Sequence, residues 1–262
     1  MDFGLKGKRV LVLAASRGLG FGSAKAIAAE GAELVIVGRN AGTLDQAAAE
    51  ISNACGVKPK TIVADLTSPG AGAAVFKAAV ELMGGIDVLV NNTGGPPAKL
   101  ARDVTADDIR AQLNGMVANI IEVTHLALSG MRERKWGRII TVASSGTIAP
   151  IPNLALSNAL RASVVGYMKT LAAEVAAEGI TVNIVLPGRI QTQRVDELDA
   201  VNAKREGKPV EDIRKSASAA IPAGRYGTAD EFGAAVCFLA STQASYITGS
   251  QIRVDGGAVR SV

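Results

Sequence analysis

The chain is short of several residue types, and each shortage excludes a kind of chemistry. It holds one histidine, His125, in 262 residues, so neither a Ser-His-Asp relay nor a histidine-based metal centre can be assembled around it, and no metal site is expected. His125 sits in the apolar stretch "VTHLALSG" and reads as a core or interface residue. Two cysteines, Cys55 and Cys237, form no CxxC and no disulfide framework, which fits a reducing cytoplasm, and both read as small buried apolar residues. Aromatic residues make up 3%, too few for the stacking surface of a nucleic-acid binder. The densest basic stretch, "MRERKWGR" (131–138), reads as a solvated helix end. Long apolar runs are missing too: "VLVLAA" is far too short to cross a bilayer, and "MDFGLKGKRV" leads into a strand with no leader-like segment. The expectation is a cytoplasmic protein with no membrane and no nucleic-acid partner. Its net charge of +4 and pI near 9.1 suit anionic small molecules, including a phosphate-bearing cofactor.

What is present is a regular alternation. Short β-branched or Leu-rich runs recur along the chain: "RVLVLAA", "AELVIVG", "KTIVAD", "IDVLVNN", "RIITVAS", "ITVNIVLP" and "SQIRVDGG". Most are apolar on both faces, as strands of a parallel sheet covered on both sides must be. Ala-rich segments with helical spacing lie between them, such as Gly20–Gly31 and "AGTLDQAAAEISNA", where Leu44, Ala47, Ala48 and Ile51 share a face. Thr228 with Glu231 forms a capping box, and "TADDI" (105–109) opens a helix in similar fashion. Strand–helix alternation from end to end, without a linker or repeat, predicts one α/β domain over 1–262 with a doubly wound sheet. The one long polar stretch with poor periodicity is 189–218, "RIQTQRVDELDAVNAKREGKPVEDIRKS", which reads as a substrate lid.

The first strand ends in "LAASRGLGFG". A glycine-rich turn between strand one and helix one lets a dinucleotide's pyrophosphate approach the backbone at the helix N-terminus. Strict G-x-G-x-x-G spacing is absent, because Gly18, Gly20 and Gly22 are two apart, but the position after strand one strengthens the signal. Strand two ends "VIVGRN", with Gly38 where a NAD-type site carries an acid, and Arg39 next. A carboxylate there repels a 2′-phosphate, whereas guanidinium binds one through forked charge-assisted bonds worth roughly 1.5–3 kcal/mol. Arg39, with Arg17 in the turn itself, therefore points to NADP(H).

Taken together, these stretches resemble the short-chain dehydrogenase/reductase family along essentially the whole chain. "LAASRGLG" is similar to its glycine turn, with Leu13 and Ala14 in place of the first Thr-Gly. The resemblance implies that Ser16, Arg17, Gly18, Leu19 and Gly20 bind the cofactor. It assigns adenine contacts to Asp65 and Leu66 in "ADLT", and a cofactor contact to Asn92 and Gly94 in "VNNTGG". Pro187, Gly188, Ile190 and Thr192 in "VNIVLPGRIQT" would border the nicotinamide. "YITGSQIRVDGG" is a characteristic family ending. The fold implied is a Rossmann-type α/β sheet of seven parallel strands, order 3-2-1-4-5-6-7, with helices on both faces, assembled as a homotetramer or homodimer. The activity implied is reduction of a small carbonyl or oxidation of an alcohol, with 3-oxoacyl-carrier-protein reductase the nearest general likeness.

The catalytic pattern departs from that family. A tyrosine and, four residues on, a lysine are expected in the helix opening "NLALSNALRAS"; an ungapped count places Ser157 and Arg161 there. Ser144, thirteen residues before Ser157, falls at the family's serine, with Ser145 the alternative. The family's asparagine falls on Met116, with Asn114 and Asn119 nearby. A serine hydroxyl is far less acidic than a phenol and shorter, and an arginine keeps its proton. Tyr167 is ten residues along the same helix, about 15 Å away, and Tyr226 and Tyr246 read as packing residues. Two functions remain: an NADP(H)-dependent oxidoreductase using Ser144, Ser157 and Arg161, or a weak or silent member that binds NADP(H) as a sensor or assembly subunit.

Overall fold

A computed structural model describes residues 2–261. Seven strands form one parallel sheet in the order β3-β2-β1-β4-β5-β6-β7. They are β1 (Arg9–Val12), β2 (Glu33–Gly38), β3 (Lys60–Val63), β4 (Val88–Asn91), β5 (Gly137–Val142), β6 (Ile180–Pro187) and β7 (Gln251–Val254). Every run singled out in the sequence is one of these strands. Alternate side chains of a strand point to opposite faces, and here each face has its own core. Leu11, Val35, Val37 and Leu89 enter one, while Val10, Val12, Leu34 and Ile36 enter the other. That is why the central strands are apolar at successive positions rather than at alternate ones.

The helices cover both faces: α1 (Gly18–Ala29), α2 (Ala41–Cys55), α3 (Ala71–Met83), α4 (Ala106–Leu113), α5 (Asn119–Glu133), α6 (Ala155–Val175), α7 (Gln193–Glu206), α8 (Val210–Ala219) and α9 (Ala229–Ala240). In α2 the predicted stripe buries Leu44, Ala47 and Ile51, with Ala48 at its edge. Both capping boxes form: Thr105 with Asp108 opens α4 and Thr228 with Glu231 opens α9. Helices α1 and α9 touch backbone to backbone, since a methyl group on Gly22 would lie 2.8 Å from the Ala229 carbonyl carbon.

Several expectations need correcting. Segment 189–218 is mostly helical, as α7 and α8, rather than aperiodic loop. Its two helices bury few side chains, Asp199, Ala203 and Ile213, so they carry almost no apolar stripe. The basic stretch 131–138 is not simply solvated: Arg132 pairs with Glu178, Arg134 with Asp87 at 3.0 Å, and Arg138 is buried. Cys237 is buried, which pushes its thiol up to about 12, whereas Cys55 is half-buried. His125 is exposed on α5 rather than in the core. Tyr246 is fully exposed and packs against nothing.

Ala14 has a φ of +47°, in the left-handed region that costs a non-glycine residue about 1–2 kcal/mol. It occupies one of the two positions where the resemblance expects Thr-Gly. Ala14→Gly is expected to raise stability by about 0.5–1 kcal/mol, the relief being partly offset by glycine's greater freedom in the unfolded chain. Urea unfolding of the two proteins measures it, with a raised midpoint as the expected result.

Candidate functional site at the carboxyl ends of the strands

In the order 3-2-1-4, the chain's winding reverses between β1 and β4. The loops leaving these two strands therefore diverge and open a crevice at their carboxyl ends, the usual ligand position in such sheets. The crevice is held together by a hydrogen bond from Asn92 Nδ2 to Ala14 O, 3.1 Å. The turn 14–18 leads into α1 through Arg17, which is extended and exposed, and Gly18, at φ +60°. Gly20 lies against the crevice: an added methyl would be 2.8 Å from Asn92 Nδ2, 2.9 Å from Ala15 Cα and closer still to Ala14 O. The N–H groups of the first turn of α1 thus open onto the crevice.

At the end of β2, Arg39 is exposed and Gly38 is buried against Leu44 and Ser16. Asp65, also exposed, accepts from the Thr67 N–H at 2.9 Å and the Thr67 hydroxyl at 2.8 Å. Those bonds, with Arg39 adding a smaller attraction, hold its carboxyl below the usual range. Leu66 is buried beside it. Ser16 lies against the end of β2, a methyl on Gly38 being 3.3 Å from Ser16 Cβ. Ile190 differs: its side chain is in the core, leaving only its backbone to border a ligand. Thr192 caps α7 and packs over Gly18, a methyl there lying 3.5 Å from Thr192 Cγ2. Arg17 hydrogen-bonds Gln193, so the start of α7 touches the glycine turn directly.

Beyond the crevice, β5 runs into Ser144. Its Oγ accepts from the Gly146 N–H at 3.1 Å, which leaves its own hydrogen free to donate. Asn158 of α6 clamps the following loop, donating to Ile151 O at 3.0 Å and accepting from Ile151 N–H at 3.4 Å. Ser144 and the first turns of α6 are therefore fixed relative to one another. Ser157, in the first turn, is buried and its hydroxyl makes no hydrogen bond among the described residues.

Arg161, one turn on, donates from Nη1 to Val142 O at 2.9 Å. It lines a narrow cleft with Asn91, Thr93, Met116, Thr141 and Val142. Burial, with the nearby charge of Arg194 adding to it, brings the guanidinium down to about 10, so it stays a cation at neutral pH. Asn91 has its amide nitrogen on Thr124 Oγ1 at 2.8 Å, while its buried Oδ1 has no partner. Of the candidate asparagines, Asn119 is structural: it donates to Leu66 O and Ser68 O and accepts from Gly72 N–H. Met116 reaches the cleft from a single π-helical turn, Asn114–Ala118, between α4 and α5. Asn91 and Arg194 were not singled out in the sequence. Asn91 carried a usable sign, a polar residue ending an otherwise apolar strand, whereas Arg194 sits in the stretch with the weakest pattern.

None of the three tyrosines lines this cleft. Tyr167 is partly buried against the core, and burial raises its phenol. Tyr226 is more than a packing residue: it donates to Asp199 Oδ2 at 3.0 Å, and burial raises its phenol as well. Asp199 is fully buried and also pairs with Arg189 at 2.5 Å, while Arg214 of α8 bonds Asp196 at 2.6 Å. These bonds latch α7 and α8 to the loop after β6. Asp199→Ala would leave partly exposed arginines without their buried partner, a loss of about 2 kcal/mol once solvent screening is allowed for. Hydrogen exchange should then show faster exchange across 189–219 with the sheet unchanged.

Comparison with known proteins agrees with this architecture. A family model described as enoyl-(acyl carrier protein) reductase matches residues 13–259. The 3-oxoacyl-[acyl-carrier-protein] reductase FabG of Salmonella typhimurium is 34% identical over 254 residues, covering 96% of this chain and 97% of that protein. D-beta-hydroxybutyrate dehydrogenase of Cupriavidus necator is 34% identical over 257 residues, covering 97% and 99%. Among solved structures, L-sorbose reductase from Gluconobacter frateurii, complexed with NADPH and L-sorbose, superposes with a TM-score of 0.94 at 29% identity over 100% of both chains. YwfH, an NADPH dependent reductase involved in bacilysin biosynthesis, gives 0.93 at 28% identity over 98% of this chain and 100% of that one. With the crevice at the β1/β4 reversal and relatives matched end to end, the chain belongs to the short-chain dehydrogenase/reductase family.

Proposed function

We propose that this protein is an NADP(H)-dependent oxidoreductase acting on a small carbonyl or alcohol. The observation that carries the cofactor is the glycine turn, where Gly20 leaves backbone room that any side chain would fill. Arg17 and Arg39 stand exposed at its rim. The reading gives the pyrophosphate to Ser16, Gly18, Leu19 and Gly20, and the 2′-phosphate to Arg39 with Arg17. Asp65 and Leu66 border adenine; Asn92, Gly94, Pro187, Gly188, Thr192 and the backbone of Ile190 border the nicotinamide end. Residues 189–218 serve as the lid. Solved structures of the same fold, one of an NADPH dependent reductase and one complexed with NADPH, support this reading.

When bound, the cofactor supplies or takes the hydride. The chain's part is to hold and polarise the oxygen: Ser144 Oγ–H donates to it, and Arg161 holds ribose hydroxyls with a charge that stays in place. On the same reading Ser157 and Arg161 stand where the family has its tyrosine and lysine, and neither delivers a proton. Water or the substrate then supplies it. A second reading, a member that binds NADP(H) with little turnover, is favoured by Tyr167 and Tyr226 being tied up elsewhere and Tyr246 being exposed on the outside. Homotetramer or homodimer assembly is part of the proposal. Its support is the long α5–α6 pair, whose outer side presents small residues of α6 and a groove lined by His125, Leu128, Tyr167 and Leu171.

NADPH is expected to bind at least about tenfold tighter than NADH, consistent with roughly 1.5–3 kcal/mol for guanidinium–phosphate bonds. Arg39→Asp should reverse the preference, and fluorescence titration at one ionic strength reads both. Losing a positioned general acid costs roughly 10²–10⁴ in rate. Reduction of neutral ketones should therefore be at least about a hundredfold slower than in members with the usual pair. The double variant Ser157→Tyr/Arg161→Lys should recover part of that rate at unchanged NADPH affinity. Ordinary wild-type turnover that survives Ser157→Ala would mean the proton comes by another route.

A further inference from the structure

Partly buried arginines of this protein, such as Arg9 and Arg189, sit on carboxylates, and Arg161 does not. Arg9 sits on Asp87 at 2.6 Å and Arg189 on Asp199 at 2.5 Å. Arg138, which has no carboxylate, is sheathed instead: it donates to Ser241 O, Gly137 O and Gly179 O and lies 4.5 Å from the Trp136 ring centre. Arg161 has a single carbonyl, Val142 O, and no carboxylate within ion-pair distance among the described residues. Its remaining N–H groups are not sealed in the interior; they open onto the cleft it lines.

A second cation lies near enough for Arg161 to feel its charge. Arg194, in the first turn of α7, reaches across to the loop after β4, donating to Pro96 O at 2.6 Å and lying over Gly95. Its carboxylate neighbour, Glu197, is 3.7 Å away and half-exposed, a weak counterweight. The walls of the cleft are Asn91, Thr93, Thr141 and apolar groups, none of them anionic. Ribose hydroxyls would satisfy hydrogen bonds of Arg161 but leave its charge uncompensated. Desolvated charge is normally paired.

We propose that the substrate carries a carboxylate close to its reacting carbon, that is, a small oxo acid or hydroxy acid, and that Arg161 from the core and Arg194 from the lid bind this carboxylate. The planar guanidinium fork matches a carboxylate through two parallel bonds, and the small cleft excludes a bulky anion. This rests on the oxidoreductase reading above, and it assigns α7 a purpose beyond cover: closing the lid brings the second charge to the substrate.

The test uses the full chain and two measurements. Calorimetry follows oxamate, a non-reducible carboxylate amide, binding to the protein with and without saturating NADPH. Turnover compares 2-oxobutyrate with 2-pentanone, a neutral methyl ketone of similar size, at saturating NADPH. Oxamate is expected to bind the NADPH complex, and to bind at least tenfold more weakly to Arg194→Gln and to Arg161→Met. Should Arg161→Met fail to fold, Arg161→Lys, which keeps the charge but loses the fork, should still weaken binding several-fold. The ratio of kcat/KM for the oxo acid over the ketone should exceed ten and fall at least tenfold in Arg194→Gln. The inference is overturned if NADPH binds and the ketone is reduced as well as the oxo acid, or if oxamate binding is absent or indifferent to both arginines. The oxidoreductase reading fails separately, by absence of NADPH binding in the wild-type titration. Oxamate binding to the cofactor-free protein, weakened in both variants, would then support the carboxylate site alone.

Discussion

The crevice depends on how closely the start of α1 can approach the end of β1 and the loop after β4. A methyl group on Gly20 would lie 2.8 Å from Asn92 Nδ2 and nearer still to Ala14 O, the two atoms whose 3.1 Å hydrogen bond ties the diverging loops. Any side chain there would have to break that bond or push α1 away. Helix α1 in turn cannot move outward freely, because it is packed against α9 through Gly22 and Gly233, where a methyl on Gly233 would lie 2.6 Å from the Gly22 carbonyl carbon. Two backbone contacts, one at each side of α1, thus set where the helix begins. The N–H groups of its first turn point into the crevice as a consequence of packing, before any ligand arrives.

The same logic of closeness places the other wall. Asn158 holds the loop after β5 against α6, so the relative positions of Ser144, Ser157 and Arg161 are set by a side chain that never faces the cleft. Arg161 reaches back to Val142 O, the last residue of β5. Segment 189–218 is tied down differently, largely by charge rather than by packing. The buried carboxylate of Asp199 gathers Arg189 and Tyr226, and an Asp196–Arg214 pair joins α7 to α8. A segment with so few buried apolar side chains depends on such bonds, and bonds of this kind open at lower cost than a core does. A rigid crevice and a loosely held cover follow from the two kinds of attachment.

That division also decides what could be read from the sequence. The central strands were legible because burial on both faces leaves a nearly continuous apolar run; the edge strands β3 and β7 are only partly buried, and the strand order followed from the family resemblance. The glycine turn was legible because close backbone approach leaves only glycine as a choice. Helices α7 and α8 were not: with only Asp199, Ala203 and Ile213 buried, their periodicity is carried by charged residues that look like any solvated loop. Ion pairs between residues ten or more apart, such as Arg189 with Asp199, leave no local pattern. Arg194 went unseen because its distant contact, a hydrogen bond to Pro96 O, leaves no local pattern either, and Asn91 because its neighbour Asn92 already filled the expected motif. Tyr246 misled in the other direction, since an aromatic next to a strand reads as packing although this one is fully exposed.

Ser157 and Arg161 make better chemical sense as a pair than apart. A tyrosine beside a lysine is an arrangement for moving a proton: the amine can give one up and the phenol can be restored. Serine beside arginine moves none, because the hydroxyl is too weak an acid and the guanidinium, even brought down to about 10 by burial, keeps its proton at neutral pH. What the second pair does hold is space and charge. The short serine leaves room at the first turn of α6, and the arginine fills its turn with a cation that has one carbonyl for company. On the proposed reading, the two changes exchange a proton-delivery device for a site that grips an anion. The substrate's own charge, rather than a side-chain acid, then becomes what orients it beneath Ser144.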